Sequence, residues 1–228
     1  MNRSPRPAGF TLIEMITVIA IIVILVSLVL AVNGLVQRKA AMSRTESEIR
    51  LLSQACEAYK TDNGGYPQDN QTTGSSSTNS LDPTVQYSPA SASYYNAAHI
   101  LYEALSGDTT GNGIPPFTGT NYAPDFFKPS RMAGGSGTGV ALYPMDAYGN
   151  CFGYSTAGLL AQQEYMANLA TTPSATLKTT PRTINGVQYT CPTNSIGFSG
   201  FNTTFDLWST GGTTSGSASD IAKWVKNW

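Results

Sequence analysis

The sequence is poor in charge and in histidine, and both shortages limit what the protein can do. Only 12% of its 228 residues are charged, the formal net charge is −1, and His99 is the one histidine. Proteins that bind a polyanion usually carry a basic patch, so nucleic acid is not an expected partner. The chain has no GxSxG, HExxH or P-loop pattern and no catalytic company for His99, so we expect no enzyme activity.

Cysteine is also scarce. The three cysteines form no CxxC pair, which argues against a zinc site, and their odd number does not suit a disulfide scaffold. Cys56 belongs to a helical stripe with Met42, Ile49, Leu52 and Tyr59, and this spacing predicts a packed thiol. Cys151 and Cys191 lie in aromatic-flanked segments typical of strands. An oxidising compartment could join them, provided that their Cα atoms lie roughly 4.4 to 6.8 Å apart, and otherwise they stay free.

One long run, residues 10–36, is apolar and contains a single charge, Glu14. At about 1.5 Å per residue, a helix over this run reaches the roughly 30 Å of a bilayer's hydrocarbon core. A carboxylate inside such a helix costs roughly 2.5 to 3.5 kcal/mol on insertion scales. Glu14 therefore either lies at the membrane interface, where the helix dipole favours a negative charge, or has a cationic partner.

The segment before the apolar run is short and polar, and it contains Arg3 and Arg6. A secretory signal has its small-residue cleavage site after the apolar core, whereas here the small residue, Gly9, comes first. Cleavage after Gly9 would keep the helix and leave an ammonium group on Phe10, one helical turn from Glu14. Helical geometry favours a neighbouring subunit's ammonium over the chain's own as the partner of Glu14.

The stretch GFTLIE, residues 9–14, followed by an apolar helix, resembles the class III signals of type IV pilins and type II secretion pseudopilins. In that family a prepilin peptidase cuts after the glycine and methylates the new N-terminal residue. The resemblance implies that Gly9 and Phe10 form the scissile pair and that Phe10 becomes methylated. It also implies that Glu14 neutralises a neighbour's N-terminal ammonium during filament assembly.

The apolar helix continues as an amphipathic segment and stops at the strong turn signal Asp-Asn-Gly-Gly, residues 62–65. Its apolar face must cover something, most simply an antiparallel sheet formed later in the chain. The predicted fold is α+β, with a long N-terminal helix packed on a small antiparallel sheet with long loops. The predicted divisions are a leader (1–9), a transmembrane and assembly helix (10–36), its amphipathic continuation (37–62) and a globular α/β head (63–228).

Further segments resemble major pseudopilins. YKTDNGGYP, residues 59–67, is similar to their YKLDNGxYP segment, and residues 146–155 resemble their D-x-W-G turn and the strand after it. Residues 205–209 and 219–224 resemble their DLYS and DI-x-x-W ends. Helical spacing also predicts a short helix over residues 96–106, ending at Gly107.

In that family the loop between the last two segments binds calcium through carboxylates and backbone carbonyls. Carried over to this chain, the ligands would be the Leu207 carbonyl, Ser209, Thr213 and Asp220. Residues 210–219 contain no acid, and calcium affinity depends strongly on ligand charge, so we expect a weak site or a loop held by hydrogen bonds instead. No other cofactor is expected. The two tryptophans flanking the loop, Trp208 and Trp224, are predicted to lie in the core.

These resemblances imply a non-enzymatic subunit of a type II secretion pseudopilus, anchored once in the bacterial inner membrane with its head in the periplasm. The implied partners are further copies of the chain, the prepilin peptidase, the inner-membrane assembly platform, minor pseudopilins and, before assembly, the membrane. One alternative is a type IV pilin of an extracellular fibre for adhesion, motility or DNA uptake. Another is an enzyme or ligand-binding domain on a pilin-like anchor, which a deep polar pocket would indicate.

Overall fold

The computed structural model describes residues 9–69, 78–86, 88–110, 113, 117–134, 142–184, 186–213 and 218–228. Within that part of the chain, the structure has three α-helices, two short 3-10 helices and seven short strands. The leader before Gly9 lies outside the described residues. The chain divides into two compact units, Met1–Ala41 and Met42–Trp228.

Helix α1, Leu12–Asn63, is the longest element and confirms the predicted uninterrupted helix. It ends where the turn signal predicted, because Gly64 takes a positive φ of 78° and its N–H donates to the Lys60 carbonyl at 2.8 Å. Among the described residues, α1 is the one helix that is long and apolar enough to cross a membrane.

In the second unit, one face of α1 lies in the hydrophobic core. Ile49, Leu52 and Cys56 are buried there, as the stripe predicted, while Met42 near the start of the unit stays about half exposed. The core that covers this face comes from later segments, chiefly Leu101, Leu105, Phe126, Phe152, Tyr154, Phe205 and Leu207. This burial explains why the α1 sequence changes from uniformly apolar to amphipathic.

Helix α2, Ala92–Ser106, confirms the predicted short helix and begins four residues earlier than expected. It buries Ala97, Leu101 and Leu105, and it ends at Gly107 with φ of 80°. A Cβ at Gly107 would lie 2.5 Å from the Gly119 carbonyl oxygen, so this helix end requires glycine for its space as well as its φ.

In the described ranges, all strand pairings are antiparallel and fall into three small sheets. The first sheet pairs β1, Met132–Ala133, with β2, Tyr143–Pro144. The second sheet has the order β3-β6-β7, in which β3 is Gly153–Ser155, β6 is Asp206–Ser209 and β7 is Val225–Lys226. The third sheet is the hairpin of β4, Thr179–Ile184, and β5, Val187–Pro192. The 3-10 helices are Pro129–Arg131 and Ala218–Lys223. The fold is therefore α+β, with short sheet segments rather than one continuous sheet.

The β3-β6-β7 sheet, called the central sheet below, carries the second part of the core. Trp208 on β6 is fully buried, and its ring stacks on Trp224 at a centroid distance of 6.0 Å. Its indole N–H donates to the Tyr94 hydroxyl at 3.0 Å, which ties β6 to α2. The prediction that Trp208 and Trp224 are core residues is confirmed.

Helix α3, Ala157–Thr171, was not predicted. Glu164 on this helix accepts two hydrogen bonds from Ser195, one from the backbone N–H at 2.7 Å and one from the hydroxyl at 2.6 Å. Gly158 permits close contact, because a Cβ there would lie 2.1 Å from the Asn202 carbonyl oxygen. These contacts pack α3 against the segment that links β5 to β6.

The disulfide that an oxidising compartment could form between Cys151 and Cys191 is not present in the structure. Cys151 and Cys191 are buried free thiols, as is Cys56. Cys151 lies just before β3, where its Sγ donates to the Tyr94 carbonyl at 3.7 Å, whereas Cys191 faces Thr180 across the β4–β5 hairpin. The two segments are strand-like, as predicted, but they pair with different neighbours, and neither pairing joins the two thiols.

Candidate functional site

The start of α1 is organised by Thr11 and Glu14. Glu14 Oε2 accepts hydrogen bonds from the Thr11 N–H and the Thr11 hydroxyl, both at 2.8 Å. In return the Glu14 N–H donates to Thr11 Oγ1 at 3.3 Å. This reciprocal pattern is a capping box, with Thr11 preceding the first helical residue and Glu14 in the first turn. The spacing Thr-x-x-Glu was visible in the sequence, and reasoning from charge alone missed it.

The predicted scissile pair lies immediately before this cap. Gly9 and Phe10 are outside the helix, and the Phe10 side chain is 75% exposed. A Cβ built on Gly9 would meet nothing within 4 Å, and Gly9 does not have a positive φ. The fold of this chain therefore does not require glycine at position 9, so any requirement for a small residue comes from a protein that binds this segment.

The first unit exposes a continuous apolar surface. Large apolar side chains are exposed along this unit from Leu12 to Val36. Their exposed fractions lie between 47%, at Val18, and 78%, at Leu12. Water-exposed apolar surface on this scale is rare in monomeric soluble proteins and marks a surface that lipid or other chains cover.

Residues 5–30 match the family model of the prokaryotic N-terminal methylation motif. The chain carries a prepilin-type signal. This signal belongs to the type IV pilin and pseudopilin family, and the matched residues include Gly9, Phe10 and Glu14. It implies processing by a prepilin peptidase and filament assembly in general, and together with α1 it fits single-pass anchoring in the inner membrane. In comparisons with curated proteins and with solved structures, nothing matches.

Beyond the prepilin-type signal, an ion-pair network centred on the buried Glu48 joins α1 to the first 3-10 helix. The Glu48 side chain is buried, and its Oε1 accepts hydrogen bonds from Arg44 Nε and Arg131 Nη1, both at 2.9 Å. Burial raises the pKa of Glu48 although both arginines favour the charged form. Sequence reasoning missed this network. The available signal was an Arg and a Glu four residues apart on a helix face that is otherwise apolar.

The candidate calcium residues each have other partners in the structure. The Leu207 carbonyl accepts from the Asn227 N–H at 3.1 Å, and the Thr213 hydroxyl donates to the Thr210 carbonyl at 2.7 Å. The Asp220 carboxylate contacts Lys223 Nζ at 2.7 Å. Each of these three candidate ligands is thus bound by a different partner within the chain.

Ser209, the fourth candidate, is bound to a carboxylate that the sequence had placed in a turn. Its hydroxyl donates to Asp146 Oδ2 at 2.5 Å and accepts the Gly211 N–H at 3.1 Å. In the described part of the chain, no three His, Cys, Asp or Glu side chains lie together as a metal site would require. The donor set does not fit a calcium site, because Asp220 is the sole carboxylate among the four candidates and calcium prefers several oxygen ligands of high charge.

Two surface clefts bear on the possibility of a tethered ligand-binding domain. The larger, about 650 Å³, lies between the second half of α1 and the C-terminal segment from Trp224 to Asn227. The smaller, about 390 Å³, has a polar lining that includes Tyr59, Asn63 and Tyr122. Both linings mix polar and apolar side chains, and the larger one includes Glu46 and Ser53.

Proposed function

We propose that the protein is a non-enzymatic structural subunit of a type II secretion pseudopilus. The observation that carries this proposal is the prepilin-type signal followed by an exposed apolar helix with one carboxylate in its first turn. The subunit waits in the inner membrane with its head in the periplasm. It then packs helix against helix with other copies into a filament that supports protein export.

Processing comes first in the proposed sequence of events. The prepilin peptidase removes residues 1–9 and methylates Phe10. The exposed, non-helical Gly9–Phe10 segment suits this step, because a protease needs an extended chain that it can reach. Cleavage creates a cationic N-terminus at the edge of the apolar helix.

Assembly then brings together Glu14 and a neighbour's Phe10 ammonium. In the single chain, the capping box with Thr11 gives the Glu14 carboxylate two hydrogen bonds. Hydrogen bonds leave its negative charge uncompensated, and charges inside a membrane helix usually pair with one another. The neighbour's ammonium supplies the missing positive charge, so the pairing selects the correct axial offset between subunits.

The assignment to a secretion filament rests on the second resemblance. The YKTDNGGYP segment at residues 59–67 contains the observed end of α1, with Gly64 in the positive-φ conformation that this motif predicts. The segments around residues 146–155 and 205–209 supply β3 and β6 of the central sheet. The assembly platform and minor pseudopilins are the proposed partners in the envelope.

The test is deletion of the gene, with comparison of secreted proteins and of surface fibres. If the protein is a pseudopilus subunit, exported proteins should accumulate in the periplasm of the deletion strain and surface fibres should persist. Complementation with the wild-type chain should restore export, and the Glu14→Ala chain should not. Loss of surface fibres with normal export would contradict the proposal and favour the type IV pilin.

A further inference from the structure

The turn before β3 packs against the loop that follows β6. We call residues 146–150 the acidic turn and residues 209–213 the loop base. The acidic turn follows β2, whose pairing with β1 anchors it, and the loop base leads towards the second 3-10 helix. These two segments are distant in sequence, and their contact closes one end of the central sheet.

The Asp146 carboxylate organises both segments. Its Oδ1 accepts the backbone N–H groups of Tyr148 at 2.9 Å and Asn150 at 2.8 Å, which shape the acidic turn. Its Oδ2 accepts the Ser209 hydroxyl at 2.5 Å, and Ser209 Oγ in turn accepts the Gly211 N–H. One buried carboxylate therefore fixes its own turn and, through one hydroxyl, the first residues of the loop base.

A further hydrogen bond and two close approaches of glycine backbone also hold the loop base. Asn150 Nδ2 donates to Thr210 Oγ1 at 3.3 Å. Gly211 and Gly212 both have positive φ values, and added Cβ atoms would lie 2.5 Å from the Lys223 carbonyl oxygen and 3.0 Å from the Tyr148 ring, respectively. The loop base thus takes a conformation and a close approach that both depend on glycine.

We propose that the Asp146–Ser209 hydrogen bond holds the loop base in place without metal, instead of the calcium ion that the resemblance implies for this loop. Both oxygens of Asp146 already accept N–H or O–H donors, and Ser209 Oγ both donates and accepts. A calcium ion at this position would have to displace those hydrogen bonds, and Asp146 would be its one carboxylate there. Hydrogen bonds to a charged group are about twice as strong as neutral ones, which suits them to this role.

The test measures backbone hydrogen exchange by mass spectrometry on the full chain in detergent micelles. The informative region is residues 208–213, which includes the Gly211 and Thr213 amides. Wild type, Ser209→Ala and Asp146→Asn are each compared in millimolar calcium and in chelator. Ser155→Ala is the matched control, because Ser155 is also buried and its hydroxyl also donates a short hydrogen bond, to the Leu81 carbonyl.

We expect wild-type exchange in residues 208–213 to be the same with calcium and with chelator. Ser209→Ala should speed exchange there by roughly tenfold or more, the factor expected when a hydrogen bond to a charged group is lost, and calcium should not restore protection. Asp146→Asn should have a similar local effect, and Ser155→Ala should leave this region at the wild-type rate after correction for global stability. Calcium-dependent protection of the wild type, or wild-type exchange in Ser209→Ala, would overturn the proposal.

Discussion

Glu14 shows how one side chain can have a partner before assembly and still require another afterwards. In the described chain its carboxylate is bound by the Thr11 N–H and hydroxyl. These bonds define the start of α1, but they do not neutralise its charge. Capping and charge pairing are therefore separate roles, and substitutions can separate them.

We predict that Glu14→Ala inserts into the membrane more easily than wild type but does not assemble. The substitution removes a charge that costs roughly 2.5 to 3.5 kcal/mol in a membrane helix. In a filament it would leave the neighbour's ammonium without a counter-charge, and breaking a buried ion pair costs about 3 to 5 kcal/mol. Membrane fractionation and electron microscopy of overexpressed filaments measure the two effects.

Glu14→Gln is the matched control, because its amide oxygen can still accept the hydrogen bonds from Thr11 while the charge is absent. It should fail to assemble, as Glu14→Ala does. Co-expressed wild-type chain should rescue either variant in part, since a variant keeps its own ammonium for a wild-type neighbour. Normal filaments from Glu14→Ala alone would mean that Glu14 serves only at the membrane interface.

Asp206 is a second residue whose charge state matters, and it lies in the central sheet. Burial, together with the nearby Asp82 carboxylate, raises its pKa to about 7, although the hydrogen bonds from the Phe201 and Asn202 N–H groups act in the opposite direction. Arg182 and Cys191 lie in the same cluster, with Arg182 3.8 Å from Asp82. The native state therefore holds a proton that the unfolded chain releases at lower pH.

We predict that this group makes the protein less stable as the pH rises. Its contribution is fully present below the ordinary Asp value of 3.8 and is lost as the pH rises through about 7. The free energy of unfolding, measured with urea on the full chain in detergent, should fall more between pH 5 and pH 8 for wild type than for Asp206→Asn. Other titrating groups are common to both proteins, so equal losses would contradict the pKa assignment.

At the scale of elements, the best-predicted features are those with local causes. The end of α1 follows from Asn-Gly-Gly and the end of α2 from Gly107, because a positive φ is a property of one or two residues. Helix α3 was missed because its buried residues are small, namely Ala157, Gly158 and Ala161, and so it shows no clear apolar stripe. Its content of alanine, leucine, glutamine and glutamate was the remaining signal.

The pairing of β3 with β6 gives a prediction at this scale. Gly153 on β3 lies against Trp208 on β6, and an added Cβ would lie 2.1 Å from the indole ring. Gly153→Ala should therefore displace the ring and lower the free energy of unfolding by about 1 to 3 kcal/mol. Unfolding of the full chain followed by tryptophan fluorescence measures the change.

Gly65→Ala is the control for Gly153→Ala. Its position does not have a positive φ, and an added Cβ meets nothing within 4 Å. It should change stability by less than about 0.5 kcal/mol. Equal unfolding midpoints for the two variants would show that Trp208 does not pack tightly against β3.

At the scale of the whole molecule, the sequence allowed prediction of the membrane-type helix, the α+β class and the tryptophans in the core. It did not allow prediction of the contacts between distant segments. Glu48 with Arg131, and Asp146 with Ser209, are separated by many residues, and a single sequence has no periodic signal for such pairs. The resemblance of the loop indicates calcium residues in or beside the loop itself, whereas the carboxylate that binds Ser209 belongs to a turn far upstream.

Processing of the whole chain gives the last prediction. Mature protein from cells with an active prepilin peptidase should lack residues 1–9, carry one added methyl group on Phe10 and remain in the membrane fraction, since α1 is retained. Intact-mass measurement of the purified chain checks this. The control is protein from cells that lack the peptidase, which should keep Met1. Protein that begins at Met1 in peptidase-active cells would contradict the cleavage assignment.

The three buried thiols have a practical consequence for chemical labelling. A thiol reacts with alkylating reagents through its thiolate, and burial raises the pKa of Cys191 to about 11 and also raises the pKa values of Cys56 and Cys151. The thiols of the folded chain should therefore react very slowly with such reagents. A cysteine introduced at an exposed position such as Val187 would be the reactive one, so neighbour contacts in an assembled fibre can be mapped by cross-linking without first removing any native cysteine.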